Sequence, residues 1–322
     1  MLYYVRECLS AFRYELYRIS VPLSTGVLQG KEKNMKIRIG TDSTADIPKE
    51  ICEKLGINVL PLSIVHEGKE YVEGVDVVPE TFYGLLETCD TIPTSSQVTN
   101  AVYTEFYEKT LSEGYTDLIQ ISLNSKGSGT FQAGVLAKEL FYEAHPEAAD
   151  KLRIYNIDSE TYSMLYGHSV IKAAEMARDG AYVEQIIEKV EKMVKASRGV
   201  FVPLTLRFVK KSGRVSAAAA FLGDAVGLKP VISFENGEST VLSKIRGEKR
   251  VIDGLIEMCR KERHEGTPYI LIYGNNTAMN GELREAFVRA FGEPEYEYNI
   301  GCIIAMNTGP NMVGVLYYRD EI

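Results

Sequence analysis

Leu118-Ile119-Gln120-Ile121-Ser122-Leu123, followed after Asn124 by Ser125-Lys126-Gly127-Ser128-Gly129-Thr130 and a helical pattern opening at Phe131, decides the reading of this chain. An apolar run, a hydroxyl-rich loop and a helix start make a strand–loop–helix unit. Small residues let a ligand approach the backbone, and a helix start offers unpaired N–H groups, so the loop suits a carboxylate or phosphate. It lacks the Gly-x-x-x-x-Gly-Lys-Ser/Thr of a polyphosphate loop and the Gly-x-Ser-x-Gly of a nucleophile elbow, which favours a modest oxyanion such as a carboxylate. A well-capped turn that binds nothing has the same local signature, so the rest of the chain decides.

Similar units flank it. From Lys36 a strand leads into Thr41-Asp42-Ser43-Thr44-Ala45-Asp46, then a helix opened by Pro48 and closed near Gly56. Residues 57–65 read as a second strand, 82–86 and 101–111 as helices flanking Pro93-Thr94-Ser95-Ser96-Gln97, 131–142 as a helix and 154–157 as a strand ending in Asp158-Ser159. Helical spacing then carries Val170, Ala174 and Ala177, followed by Ile186, Val190, Met193 and Val194 on one face. Strands over 200–204, 231–234, 269–273, 301–306 and 313–318 restart the pattern. The expected fold is α/β: two three-layer α/β/α domains, residues 35–163 and 164–322, packed closely with the ligand site at their junction.

Composition bounds the function. The 322 residues are about twice a usual domain length. Hydrophobic residues at 45% and charged residues at 25%, with no apolar run of roughly 20 residues, describe a soluble, cytoplasmic protein without a membrane span. A net charge of −8 without a basic stripe offers nothing to nucleic acid. The five cysteines are scattered and unpaired in pattern, and His66, His145, His168 and His264 are isolated, so packing or surface roles are expected and no metal or cofactor. Charges at Arg6, Glu7, Arg13, Glu15 and Arg18 break any signal-peptide core. Residues 1–34 read as an extension outside the main fold; the alternative is an amphipathic helix that docks on the body or on another chain.

Asp42-Ser43-Thr44-Ala45-Asp46, Pro93 to Gln97, Ser125 to Gln132, Asp158-Ser159, Gly213-Arg214-Val215 and Thr308-Gly309-Pro310 occur in this order in one chain. The set resembles the DegV family of fatty-acid-binding proteins over everything from Met35 onward. The resemblance implies a two-domain α/β carrier, not a catalyst. One long-chain fatty acid would have its carboxylate at the junction and its tail mainly in the second domain. It further implies, as in some members, a binding subunit of bacterial fatty acid kinase, presenting the carboxylate to an ATP-using subunit that makes acyl phosphate for phospholipid synthesis. The family's Thr-Ser-Gln falls on Ser95, Ser96 and Gln97, and its Ser-Gly-Thr on Ser128, Gly129 and Thr130, making Ser95 and Ser128 the hydroxyl partners of the carboxylate. The histidine usual before Thr-Gly-Pro is Asn307 here, ahead of Thr308; it can donate a hydrogen bond but cannot titrate. Val98 replaces the usual proline. Arg214 and Arg246 match the surface that docks the kinase subunit. Read without the resemblance, Ser95 and Ser96 could instead cap the helix through Val102. A monomer is expected. The competing function is an enzyme acting on a small phosphorylated or carboxylated metabolite with Asp42 or Asp158 as base.

Overall fold

β1 (Ile37–Asp42), β2 (Asn58–Leu60), β6 (Asp117–Ser122) and β7 (Arg153–Asp158) form a four-stranded sheet in the order β2-β1-β6-β7, every pairing parallel. The computed structural model describes residues 35–215 and 227–322. The readings for residues 1–34, Cys8 included, lie outside the described residues. All six positions of β6 are buried, as a central parallel strand covered on both faces requires.

Helices α3 (Asn100–Ser112) and α4 (Thr130–Ala144) cover one face of this sheet, where Tyr103, Tyr107 and Phe141 pack ring against ring. On the other side α5 (Met164–Arg178) lies against β1, with α1 (Lys49–Leu55) and α6 (Val183–Ala196) beside it. Pro48 and the left-handed Gly56 bound α1 as the sequence predicts. Thr99 caps α3, its hydroxyl accepting the Val102 N–H. Capping by Ser95 or Ser96 is thereby corrected, because both sit in a strand, β5 (Thr94–Ser96). Thr99→Ala should cost about 1 kcal/mol of stability, read by chemical denaturation.

The apolar stretch 57–65 is two strands, not one. Pro61 has no N–H for a ladder, and the chain leaves β2 there and turns into β3 (Ser63–His66). β3 pairs antiparallel with β4 (Lys69–Val72) and β5 in a small separate sheet. Helix α2 (Pro79–Thr88) lies between β4 and β5 in the chain.

The second large sheet is mixed, in the order β10-β9-β8-β13-β11-β12. It contains β8 (Ser197–Pro203), β9 (Leu228–Glu235), β10 (Glu238–Arg246), β11 (Tyr269–Tyr273), β12 (Tyr296–Asn299) and β13 (Met312–Tyr318). Between β8 and β9 the described chain includes the short helix α7 (Arg207–Ser212). Side-chain alternation divides β8 and β13 cleanly. Val200, Val202, Val313 and Val315 face α8 (Val251–Glu262) and α9 (Thr277–Phe291), whereas Phe201, Met312 and Leu316 join the core shared with the first sheet.

The segment 301–306, expected as a strand, is helical: α10 spans Cys302–Thr308. Ile303 and Ile304 carry β propensity, but the buried Glu73 carboxylate takes the Ile303 N–H in the first turn of the segment, so tertiary contacts override it.

A polar cluster closes the edge of the sheet at β12. Glu295 receives Lys172 Nζ at 2.8 Å and faces His168 Nε2 at 3.4 Å. Partial burial alone would raise its pKa; the facing His168 and Lys172 side chains outweigh it and hold the carboxyl at about 2. A folded pKa below the unfolded value means stability present above pH 4.5 and lost as pH falls toward 2. Glu295→Gln should therefore lower stability by about 3 kcal/mol at pH 7, and the gap from wild type should close across that acidic window in denaturation curves.

Candidate functional site

Asp42 organises the end of β1. Its Oδ1 accepts the Thr44 N–H and hydroxyl at 3.1 and 2.6 Å and the Tyr166 hydroxyl at 2.8 Å, and its Oδ2 accepts the Leu123 N–H at 2.8 Å. The end of β6 is thus locked to the end of β1 just before the hydroxyl-rich loop. Burial raises the pKa of Asp42 against these hydrogen bonds. Asp158 Oδ1 likewise accepts the N–H groups of Ser125 and Glu160 at 3.1 and 2.9 Å. Both carboxylates hold turns, as Asp side chains at such positions do.

The loop reaches the second sheet through Asn124, whose amide donates to the Gly237 carbonyl at 2.8 Å, and through Lys126, which donates to the Asn236 carbonyl at 2.9 Å. Asn236 and Gly237 form the β9–β10 turn, both with positive φ. Asn-Gly is the strongest short hairpin signal, and it would have revealed β10 from the sequence.

Between the loop and the second sheet lies a cavity of about 160 Å³. That is roughly tenfold what one water position needs. The walls are mainly apolar, among them Leu123, Leu165, Phe201, Phe234, Ile272 and Met312. Phe201 and Phe234 stack with centroids 5.8 Å apart. Of the site residues expected from sequence, Ser95, Gln97, Ser128, Gly129, Asn307 and Thr308 all line it. Ser96, next to Ser95 in β5, points away and is exposed, as strand alternation requires. Thr130 is buried behind the wall, its hydroxyl 3.0 Å from Ser128 Oγ and accepting the Val98 N–H at 3.4 Å.

Gln97 abuts the loop closely: a Cβ on Gly129 would stand 2.0 Å from Gln97 Oε1. Asn307 spends one amide hydrogen on the Ile303 carbonyl at 2.7 Å and keeps a second donor. Thr308 donates to the Ile304 carbonyl at 2.9 Å. Arg214 also lines the cavity, with Nε 3.3 Å from the Gly127 carbonyl and Nη1 donating to the Ser212 carbonyl at 3.0 Å. Arg246 lies elsewhere, exposed at the end of β10. The apolar walls left no local mark in the sequence, because they come from residues between 44 and 312 and only the fold assembles them.

Among the described residues no cluster of three His, Cys, Asp or Glu side chains has the arrangement of a metal site. Within the same residues no helix is long and apolar enough to cross a membrane.

A family model described as "Uncharacterised protein, DegV family" matches residues 36–320. A DegV domain-containing protein of Clostridium perfringens is 31% identical over 291 residues, covering 89% of this chain and 100% of that protein. Two solved structures superpose with a TM-score of 0.78, each covering 89% of this chain and 100% of the other. One, at 27% identity, is a DegV family protein from Thermus thermophilus described by its fatty acid binding; the other, at 29% identity, is DegV of Bacillus subtilis, described as a fatty acid binding protein. The chain belongs to the DegV family.

Proposed function

We propose that this protein binds one long-chain fatty acid, with the tail in the apolar cavity and the carboxylate at Ser95, Ser128 and Arg214. The observation that carries the reading is a cavity with mainly apolar walls that meets Ser95, Ser128, a loop of small residues and Arg214. Burial of an acyl tail contributes about 0.8 kcal/mol per CH2, so few polar contacts are needed for tight binding. Arginine suits a carboxylate through its fork of donors. Asn307, with its remaining N–H, and Thr308 complete the polar rim, while Thr130 fixes Ser128. Residues 35–163 then form the carboxylate-holding domain and 164–322 the domain that takes the tail.

The same reading makes the protein a cytoplasmic, monomeric carrier that offers the bound carboxylate to an ATP-using fatty acid kinase subunit. Arg246 serves as a docking contact and Arg214 stands between the ligand and that surface. Arg246→Glu should then abolish association with such a subunit while leaving bound lipid unchanged; undiminished association removes the docking role.

The reading itself is tested by organic extraction and mass spectrometry of the purified protein. A long-chain fatty acid near one equivalent is expected. None in the protein as purified, and none after incubation with palmitate or oleate, would overturn it and favour a small carboxylated or phosphorylated metabolite.

A further inference from the structure

Residues 300–303 are gripped by side chains from the other half of the chain. Tyr83 on α2 donates its hydroxyl to the Ile300 carbonyl. Asp46, at the end of the first βα loop, takes the Ser163 hydroxyl on Oδ2 at 2.5 Å and turns Oδ1 toward Gly301. Glu73, just after β4, accepts the Ile303 N–H on Oε1 at 3.0 Å. Asp46 is half-buried and Glu73 is 7% exposed. Gly301 permits this double approach, because a Cβ there would stand 2.4 Å from Asp46 Oδ1 and 3.0 Å from Glu73 Oε1. Ser43, in the same loop as Asp46, accepts the Leu62 N–H at 3.0 Å just before the small sheet begins.

The gripped segment is the entry to α10, and α10 delivers Ile303, Ile304, Asn307 and Thr308 to the cavity wall. None of the three gripping side chains lines the cavity itself. We infer that Glu73, with Asp46 and Tyr83, is a positioning residue for ligand retention: it fixes the start of α10, and so the wall that α10 presents to the ligand. Burying a carboxyl group is costly unless it is hydrogen-bonded, and here Glu73 spends Oε1 on a backbone N–H of the first turn of α10. A well-packed apolar residue would serve packing alone; an acceptor on the Ile303 N–H together with a donor on the Ile300 carbonyl fixes orientation as well.

The inference rests on the fatty-acid reading for its ligand but makes a separate structural prediction. The probes are cis-parinaric acid, whose displacement by oleate gives a dissociation rate, and amide hydrogen exchange at Ile303. Glu73→Ala should speed release roughly tenfold, the loss expected for a hydrogen bond to a carboxyl group, and accelerate exchange at this amide. Glu73→Gln keeps an acceptor oxygen of the same shape and should restore both. Tyr83→Phe, which removes one hydroxyl without a cavity, should speed release to a smaller extent and covers the case in which Glu73→Ala does not fold. Wild-type release in both Glu73→Ala and Tyr83→Phe would overturn the inference, as would a Glu73→Gln variant as defective as Glu73→Ala. Should the wild type take up no parinaric acid, the fatty-acid reading fails. Exchange then decides the grip alone, local acceleration in Glu73→Ala supporting it and unchanged exchange refuting it.

Discussion

Replacing Ser95 and Ser128 together by alanine should deplete the protein of fatty acid. Each hydroxyl lines the cavity, and a hydrogen bond to a charged acceptor contributes about 1.5–3 kcal/mol. Two such bonds amount to roughly two to four orders of magnitude in affinity if they act independently. Because they would meet one carboxylate, coupling between them is expected and the single variants need not sum to the double. Direct titration with parinaric acid reads the loss, and extraction with mass spectrometry checks that the purified variant retains less lipid than wild type. The fold should survive, since Ser95 pairs through its backbone with Ile64 in β3 and Ser128 sits in a loop held by Asn124 and Asp158. A double variant that binds within about fivefold of wild type, roughly 1 kcal/mol, would place the carboxylate away from these hydroxyls.

On the proposed reading, tail and head would divide the work unequally. Fifteen or so buried methylenes at about 0.8 kcal/mol each would outweigh any pair of hydrogen bonds, so apolar burial would supply most of the affinity. The polar rim would decide which way round the ligand lies. Arg214 would strengthen that orientation, because an ammonium or alcohol head would meet either like charge or an unmatched donor fork. Asn307 keeps a donor at the rim and brings no group that titrates between pH 5 and 8. Ligand affinity should therefore show no step from this position over that range.

What the sequence made legible was local. The run 118–123, the loop after it and the helix from Phe131 were readable because apolar period, small residues and helix start all agree there, and Pro48 with Gly56 bounded α1 for the same reason. Where local preference and tertiary demand disagree, the reading failed. Ile303 and Ile304 look like strand residues, yet they lie in a helix whose first turn gives the Ile303 N–H to Glu73, 230 positions earlier. Ser95 and Ser96 are equivalent by composition, and only the pairing of β5 with β3 tells which one faces the cavity. The motif residues lining the cavity were reached through a resemblance that keeps their order. Phe201, Phe234 and Ile272 had no such guide, since an inward apolar residue on a buried strand looks the same whether it meets a core or a ligand.

Gly167→Ala should destabilise the protein, against the ordinary preference of helices. Within a helix, alanine is favoured over glycine by about 1 kcal/mol. At Gly167, in the first turn of α5, a Cβ would stand 2.2 Å from the Ala45 carbonyl oxygen and 2.8 Å from Met164 Sδ. The methionine can swing aside; the backbone carbonyl cannot. It belongs to the turn that follows Asp42, where Thr44 Oγ1 and the Tyr166 hydroxyl lie 2.8 Å apart and both meet the Asp42 carboxylate. Making room means lifting α5 away from β1, which stretches those bonds and moves Ser163 and Leu165, two residues of the cavity wall. Overpacking of this kind costs about 1–3 kcal/mol, so the net effect is a loss of stability accompanied by weaker fatty-acid retention. Gly281, exposed on α9 with nothing within 4 Å of its would-be Cβ, supplies the opposite sign: Gly281→Ala should gain about 0.5–1 kcal/mol. Denaturant midpoints of the two variants should fall on opposite sides of wild type. A Gly167→Ala protein as stable as wild type would mean that α5 is free to shift, and that the junction between the first βα loop and the cavity wall is looser than its hydrogen bonds indicate.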